Sequence, residues 1–124
     1  MDVEPWAVGR AERAEQASRF REQYPGRSGS RLVFIGCVPM RLLASTEGRP
    51  RGPAVKALVD VFKDPEGAVP PVVVEYGEGR KYDIIDGHHR VEAAKRVGLR
   101  CAPALLALFE DEEFDGVKFP EARP

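Results

Sequence analysis

Apolar positions along this chain fall into two rhythms. Residues 32–38, 72–74 and 102–108 are nearly unbroken apolar runs, as expected of strands buried on both faces. Residues 81–85 form a fourth candidate strand. Val55, Leu58, Val59 and Phe62 recur at spacings of 3, 4 and 7 and predict a helix over Pro53–Lys63, with Pro53 suited to its first turn. Val91, Ala94 and Val97 fall three apart and predict a second helix, from about His88 to Val97. Gly98 is its expected C′ residue, and Lys95 and Arg96 stand in the last turn, where the dipole favours cations. Glu92 and Arg96, four apart, are assigned to the wet face. A looser stripe, Trp6, Ala14, Ala17, Phe20 and Tyr24, predicts a helix over residues 4–24 that packs on its own domain or on a partner subunit as a homodimer contact.

Breakers divide these runs. Residues 25–30, PGRSGS, have linker composition. Gly36 marks a bulge or close backbone approach, and Pro39 ends the first strand, after which Met40, Leu42 and Leu43 anchor a turn. Residues 45–51 form a polar loop. Residues 77–80, Gly-Glu-Gly-Arg, are a hairpin turn. The organisation expected is an N-terminal helix and linker over 1–30, a domain over 31–108 and an acidic tail over 109–124, whose six carboxylates end at Glu121.

Composition narrows the class. The chain has 124 residues, 43% apolar and 31% charged, which fits one modest globular core. A net charge of −1 gives no global basic field for nucleic acid. No apolar run is long enough to span a bilayer, so no membrane role is expected. Two cysteines, Cys37 and Cys101, are too few for a disulfide framework, and a reducing cytoplasm is the default expectation.

The chemistry gathers where residues 82–85 hand the chain to the helix, in Asp86-Gly87-His88-His89-Arg90. The first turn of a helix has free amide N–H groups and a partial positive charge, which suit an anion. Glycine admits a phosphate close to the backbone. The imidazoles of His88 and His89 and the guanidinium of Arg90 add donors, the last in a bidentate fork. Asp86 is placed to hold the Mg²⁺ that travels with a nucleotide. A strand–turn–helix with an acidic-Gly turn also arises for purely structural reasons. A zinc site does not fit, because adjacent histidines do not share a helix face and no Cys or third His completes a set.

The signature resembles the Gly-x-x-Arg motif of the ParB/sulfiredoxin superfamily, and the likeness extends from about Leu32 to Leu106 in the order of elements. It implies an α+β fold, a small mixed sheet with helices packed on it. The DGHHR form is most similar to the free serine kinase branch. That implies a nucleotide-dependent phosphotransferase or NTPase, with ATP or ADP, or CTP, and Mg²⁺ as cofactors and a small hydroxyl-bearing substrate. Glu47 matches the kinases' catalytic glutamate as base, with Asp86 beside it, while Gly87, His88, His89 and Arg90 cradle phosphate. Arg49 and Arg51 are weaker candidates for phosphate or an acidic substrate group. Sulfiredoxins carry cysteine where this chain has His88, so their redox chemistry lacks its nucleophile here. Two alternatives stay open: a ParB-like DNA-binding or nuclease module, using a local patch from Arg41, Arg49, Arg51, Arg90 and Arg96, and a non-catalytic nucleotide-binding partner domain.

Overall fold

The computed structural model describes residues 5–27, 29–45 and 48–114. Its elements run α1 (Arg10–Gln23), β1 (Arg31–Pro39), β2 (Leu43–Ala44), α2 (Pro53–Lys63), β3 (Val72–Tyr76), β4 (Tyr82–Asp86), α3 (His88–Arg96) and β5 (Cys101–Leu108), with 3₁₀ turns at Pro25–Arg27 and Met40–Leu42. The strands form one mixed sheet in the order β1-β5-β3-β4-β2. The pairs β1/β5 and β3/β4 are antiparallel, and β3/β5 and β2/β4 are parallel.

The unbroken apolar runs are explained by cover on both faces. Along β3, side chains alternate from face to face. Val72 and Val74 join Ile35, Ile84 and Leu106 in a core that also takes Val91 and Ala94 from α3, with Leu58, Val61 and Phe62 of α2 packed against it. Val73 points the other way and meets Leu105, Ala107 and Phe20 of α1, with Ala17 and Tyr24 alongside. The sheet is therefore sandwiched, with α1 on one side and α2 and α3 on the other. The α+β expectation holds.

Several local expectations change. The first helix begins at Arg10, where Glu12 takes the Gly9 N–H at 3.2 Å. Trp6 lies outside it and crosses to the α2 side, donating from Nε1 to the Val69 carbonyl at 2.9 Å and meeting Phe62 edge-on at 5.0 Å between ring centroids. Ala14 is exposed, and Phe20 spends the helix's apolar side on its own sheet. On α2, Val61 rather than Val59 meets the core, because the helix is turned slightly from the expected face. The strand β2 was not anticipated, since two residues show no periodicity; it exists by pairing Leu43 and Ala44 with Tyr82 and Asp83.

Cys37 and Cys101 form a disulfide, with Cα atoms 5.2 Å apart, which corrects the reading of two unrelated reduced thiols. The β1/β5 register brings them together: it shifts between Ile35 and Val38, placing Cys37 in the bulge while Cys101 pairs with Pro39. Their separation of 64 residues hides this in the sequence. Among the described residues no helix is long and apolar enough to cross a membrane.

Candidate functional site

The turn into α3 is built from its smallest residue. Gly87 is the N-cap, with φ of +111°, a left-handed conformation that a β-carbon resists. A Cβ there would also lie 2.6 Å from Cγ1 of Val72. Glycine is thus required by the packing of the turn on β3. At the other end, Gly98 (φ +89°) closes α3 in a Schellman arrangement: its N–H bonds to the Lys95 carbonyl and that of Leu99 to the Ala94 carbonyl, at 3.1 and 3.0 Å.

Arg90 turns inward, which corrects its assignment as a free phosphate grip. Its side chain is 10% exposed. Nη1 donates to Oε1 of Gln16 at 2.9 Å and to the carbonyls of Pro71 and Pro70 at 2.7 and 3.2 Å. Nη2 lies 3.2 Å from Oδ2 of Asp86, which also accepts from Nε2 of Gln16 at 2.9 Å. Desolvation lowers the pKa of Arg90 and the Asp86 charge counters it, and a guanidinium stays protonated regardless. Asp86 belongs to the same network. The carboxylate expected to hold Mg²⁺ or act in catalysis has Oδ2 committed to Gln16 and Arg90. Among the described residues no cluster of three or more His, Cys, Asp or Glu is arranged for a metal.

The open ground lies one helix face away. A cleft of about 420 Å³ is lined by Leu43, Ile84 and Val91 on apolar ground and by His88, Glu92 and Lys95 from α3, with Ser45, Gly48, Arg49 and Pro50 from the facing loop. Of the expected cradle, His88 lines it; Gly87, His89 and Arg90 do not, and His89 is exposed. Of the loop candidates Arg49 lines it and Arg51 stands exposed outside. Glu47 lies outside the described residues.

Polar contacts organise this cleft. Nδ1 of His88 is 2.9 Å from Oγ of Ser45, which donates to the Gly48 carbonyl at 3.0 Å. Glu92, expected on the wet face, is buried. Its Oε2 accepts from Nε of Arg49 at 3.0 Å and from Nε of Arg96 at 3.1 Å. Burial alone would raise its pKa, but hydrogen bonds and charge from the two arginines outweigh this and hold the carboxyl below its ordinary value. Glu92 is therefore ionised at neutral pH. The sequence reading missed Ser45, Glu92 and Lys95. Glu92 and Lys95 follow His88 by 4 and 7 positions, the spacing of one helix face; only the placement of the facing loop makes that face a wall.

This geometry sits in a recognisable frame. The family model for the ParB N-terminal domain matches residues 35–119. The chain belongs to the ParB N-terminal domain family. No curated protein matches it in sequence. Among solved structures, the ParB-family chain is similar to sulfiredoxin from Arabidopsis thaliana, at 24% identity and a TM-score of 0.51, over 62% of this chain and 86% of that one. It is also similar to the C-terminally truncated chromosome-partitioning protein ParB from Caulobacter crescentus, solved in complex with CTP-γ-S, at 25% identity and a TM-score of 0.48 over 67% of this chain. It spans 46% of the length of that ParB. A Pnob8-like ParB-N domain is similar at 18% identity and a TM-score of 0.50. The fold is thus that of the ParB/sulfiredoxin superfamily.

Proposed function

We propose that this chain is a ParB-type nucleotide-binding module whose ligand lies in the cleft beside α3, with its phosphates toward the helix's leading end. The observation that carries this is the set of nitrogen donors on the cleft wall. His88, Arg49 and Lys95 converge there, and the one carboxylate among them, Glu92, is already neutralised by two arginines. The apolar ground of Leu43, Ile84 and Val91 suits the flat part of a nucleoside. Membership of the ParB family supports the same ligand class. Phosphoryl transfer to a small hydroxyl-bearing substrate, or NTP hydrolysis, is the finer reading; it rests on the DGHHR resemblance and needs Glu47 as base.

A ligand that binds only the folded chain raises its melting temperature. With ATP, ADP, CTP and GTP tested with and without Mg²⁺, at least one nucleotide is expected to stabilise the wild type. His88→Ala should reduce that shift. No shift with any of them removes the reading. Phosphate release that Glu47→Gln abolishes while binding survives would establish turnover.

DNA contact is the second reading, and a basic corner favours it. The Met40 N–H bonds to the Arg100 carbonyl and Nζ of Lys81 reaches the Arg41 carbonyl, which gathers Arg41, Lys81 and Arg100. Arg90, buried, takes no part in such a patch. Duplex binding that weakens steeply with salt is its expected mark.

A further inference from the structure

The inward turn of Arg90 leaves the cleft in need of another bidentate anion donor, and the loop supplies one. Arg49 lines the cleft with a side chain 69% exposed, against 10% for Arg90. It meets Glu92 through Nε alone. A guanidinium anchored by Nε keeps both Nη groups on its outer edge, a planar fork matched to two phosphate oxygens. The anchor is firm because Glu92 is buried and shared with Arg96, whose Nε holds the same oxygen. Glu92 lines the cleft as well, and its hydrogen bond to Nε sets the direction in which the Arg49 fork points.

We infer that Arg49 is the guanidinium that grips the ligand's phosphate in this chain, and that Glu92 is the positioning residue that aims it. This rests on the nucleotide reading above and adds to it which side chains set the affinity for phosphate. Removing Arg49 leaves Glu92 paired with Arg96, so no buried charge is orphaned and the fold survives.

Calorimetric titration of the full chain with CTP, ATP, their diphosphates and the free nucleosides tests the assignment. A charge-assisted hydrogen bond is worth enough that Arg49→Ala should weaken triphosphate binding about tenfold or more. Nucleoside binding should stay unchanged. Arg49→Lys should restore part of the loss, since an ammonium supplies charge without the fork. Glu92→Gln should weaken triphosphate in the same direction, and the double variant should be no worse than Arg49→Ala alone, the mark of one residue acting through another. A wild type that binds triphosphate as tightly as Arg49→Ala overturns the inference and leaves the nucleotide reading standing. Additive losses overturn the role of Glu92. A wild type that binds no nucleotide overturns both.

Discussion

Glu92 keeps its charge where water hardly reaches it, and that has a consequence for acid stability. Two arginines hold its carboxyl below the ordinary value, against the opposing effect of burial. A depressed carboxyl pKa means the unfolded chain binds the proton more readily than the folded one. The stabilisation is complete above the unfolded value of about 4.3 and is lost as pH falls through the lower, folded value. Urea unfolding from pH 7 to pH 3 should therefore show a loss in the wild type that is smaller in Glu92→Gln. Equal pH profiles for the two would show that the pair contributes nothing. At this same scale the sequence was a partial guide. It singled out His88 and Arg49, which do line the cleft, together with Arg90 and Asp86, which face the other way. Residue type and spacing name the donors near a turn, but not which way each points.

Elements decide that direction. Helix α1 lies across one side of the sheet with Phe20 fully buried, and brings Gln16 to the turn between β4 and α3. Gln16, Asp86, Arg90 and the Pro70 and Pro71 carbonyls then satisfy one another. A sequence stripe counted in apolar residues passes over a buried glutamine, so this clasp was invisible before the helix was placed. Truncating one partner of a fully buried charge pair costs about 3–5 kcal/mol, and Asp86, 22% exposed and still held by Gln16, brings the expected cost to the lower end of that range. Arg90→Ala should lose stability of that order in chemical denaturation. If it unfolds no more easily than the wild type, Arg90 is not the structural tie described here.

At the scale of the whole molecule, one covalent bond joins β1, at the sheet's edge, to β5. The Cys37–Cys101 disulfide closes a loop across 64 residues, and cross-links of that span restrict the unfolded chain most. Reduction with dithiothreitol should lower stability by about 2–4 kcal/mol, read as a fall in the urea midpoint, and Cys37→Ser should match the reduced wild type. Unchanged midpoints, or free thiols found by alkylation of the untreated protein, would exclude the bond. The same bond ties β1, which runs on through Met40–Leu42 toward the cleft loop, to the segment that follows α3.

The order of the main elements followed from hydrophobic rhythm and breakers, because these are local properties carried by residues close in the chain, and the α+β class followed from the resemblance that the Gly-x-x-Arg turn carries. The helix over Pro53–Lys63 and the Gly98 stop of α3 are cases where local chemistry was enough. The two-residue strand β2, the disulfide, the burial of Arg90 under Gln16 and the cleft wall of Ser45, Arg49 and Glu92 all join residues 39 or more positions apart. Such contacts exist only once the sheet has set its register and the helices have taken their sides. Tertiary packing thus chose which of the charged groups near one turn became part of the framework and which were left to meet a ligand.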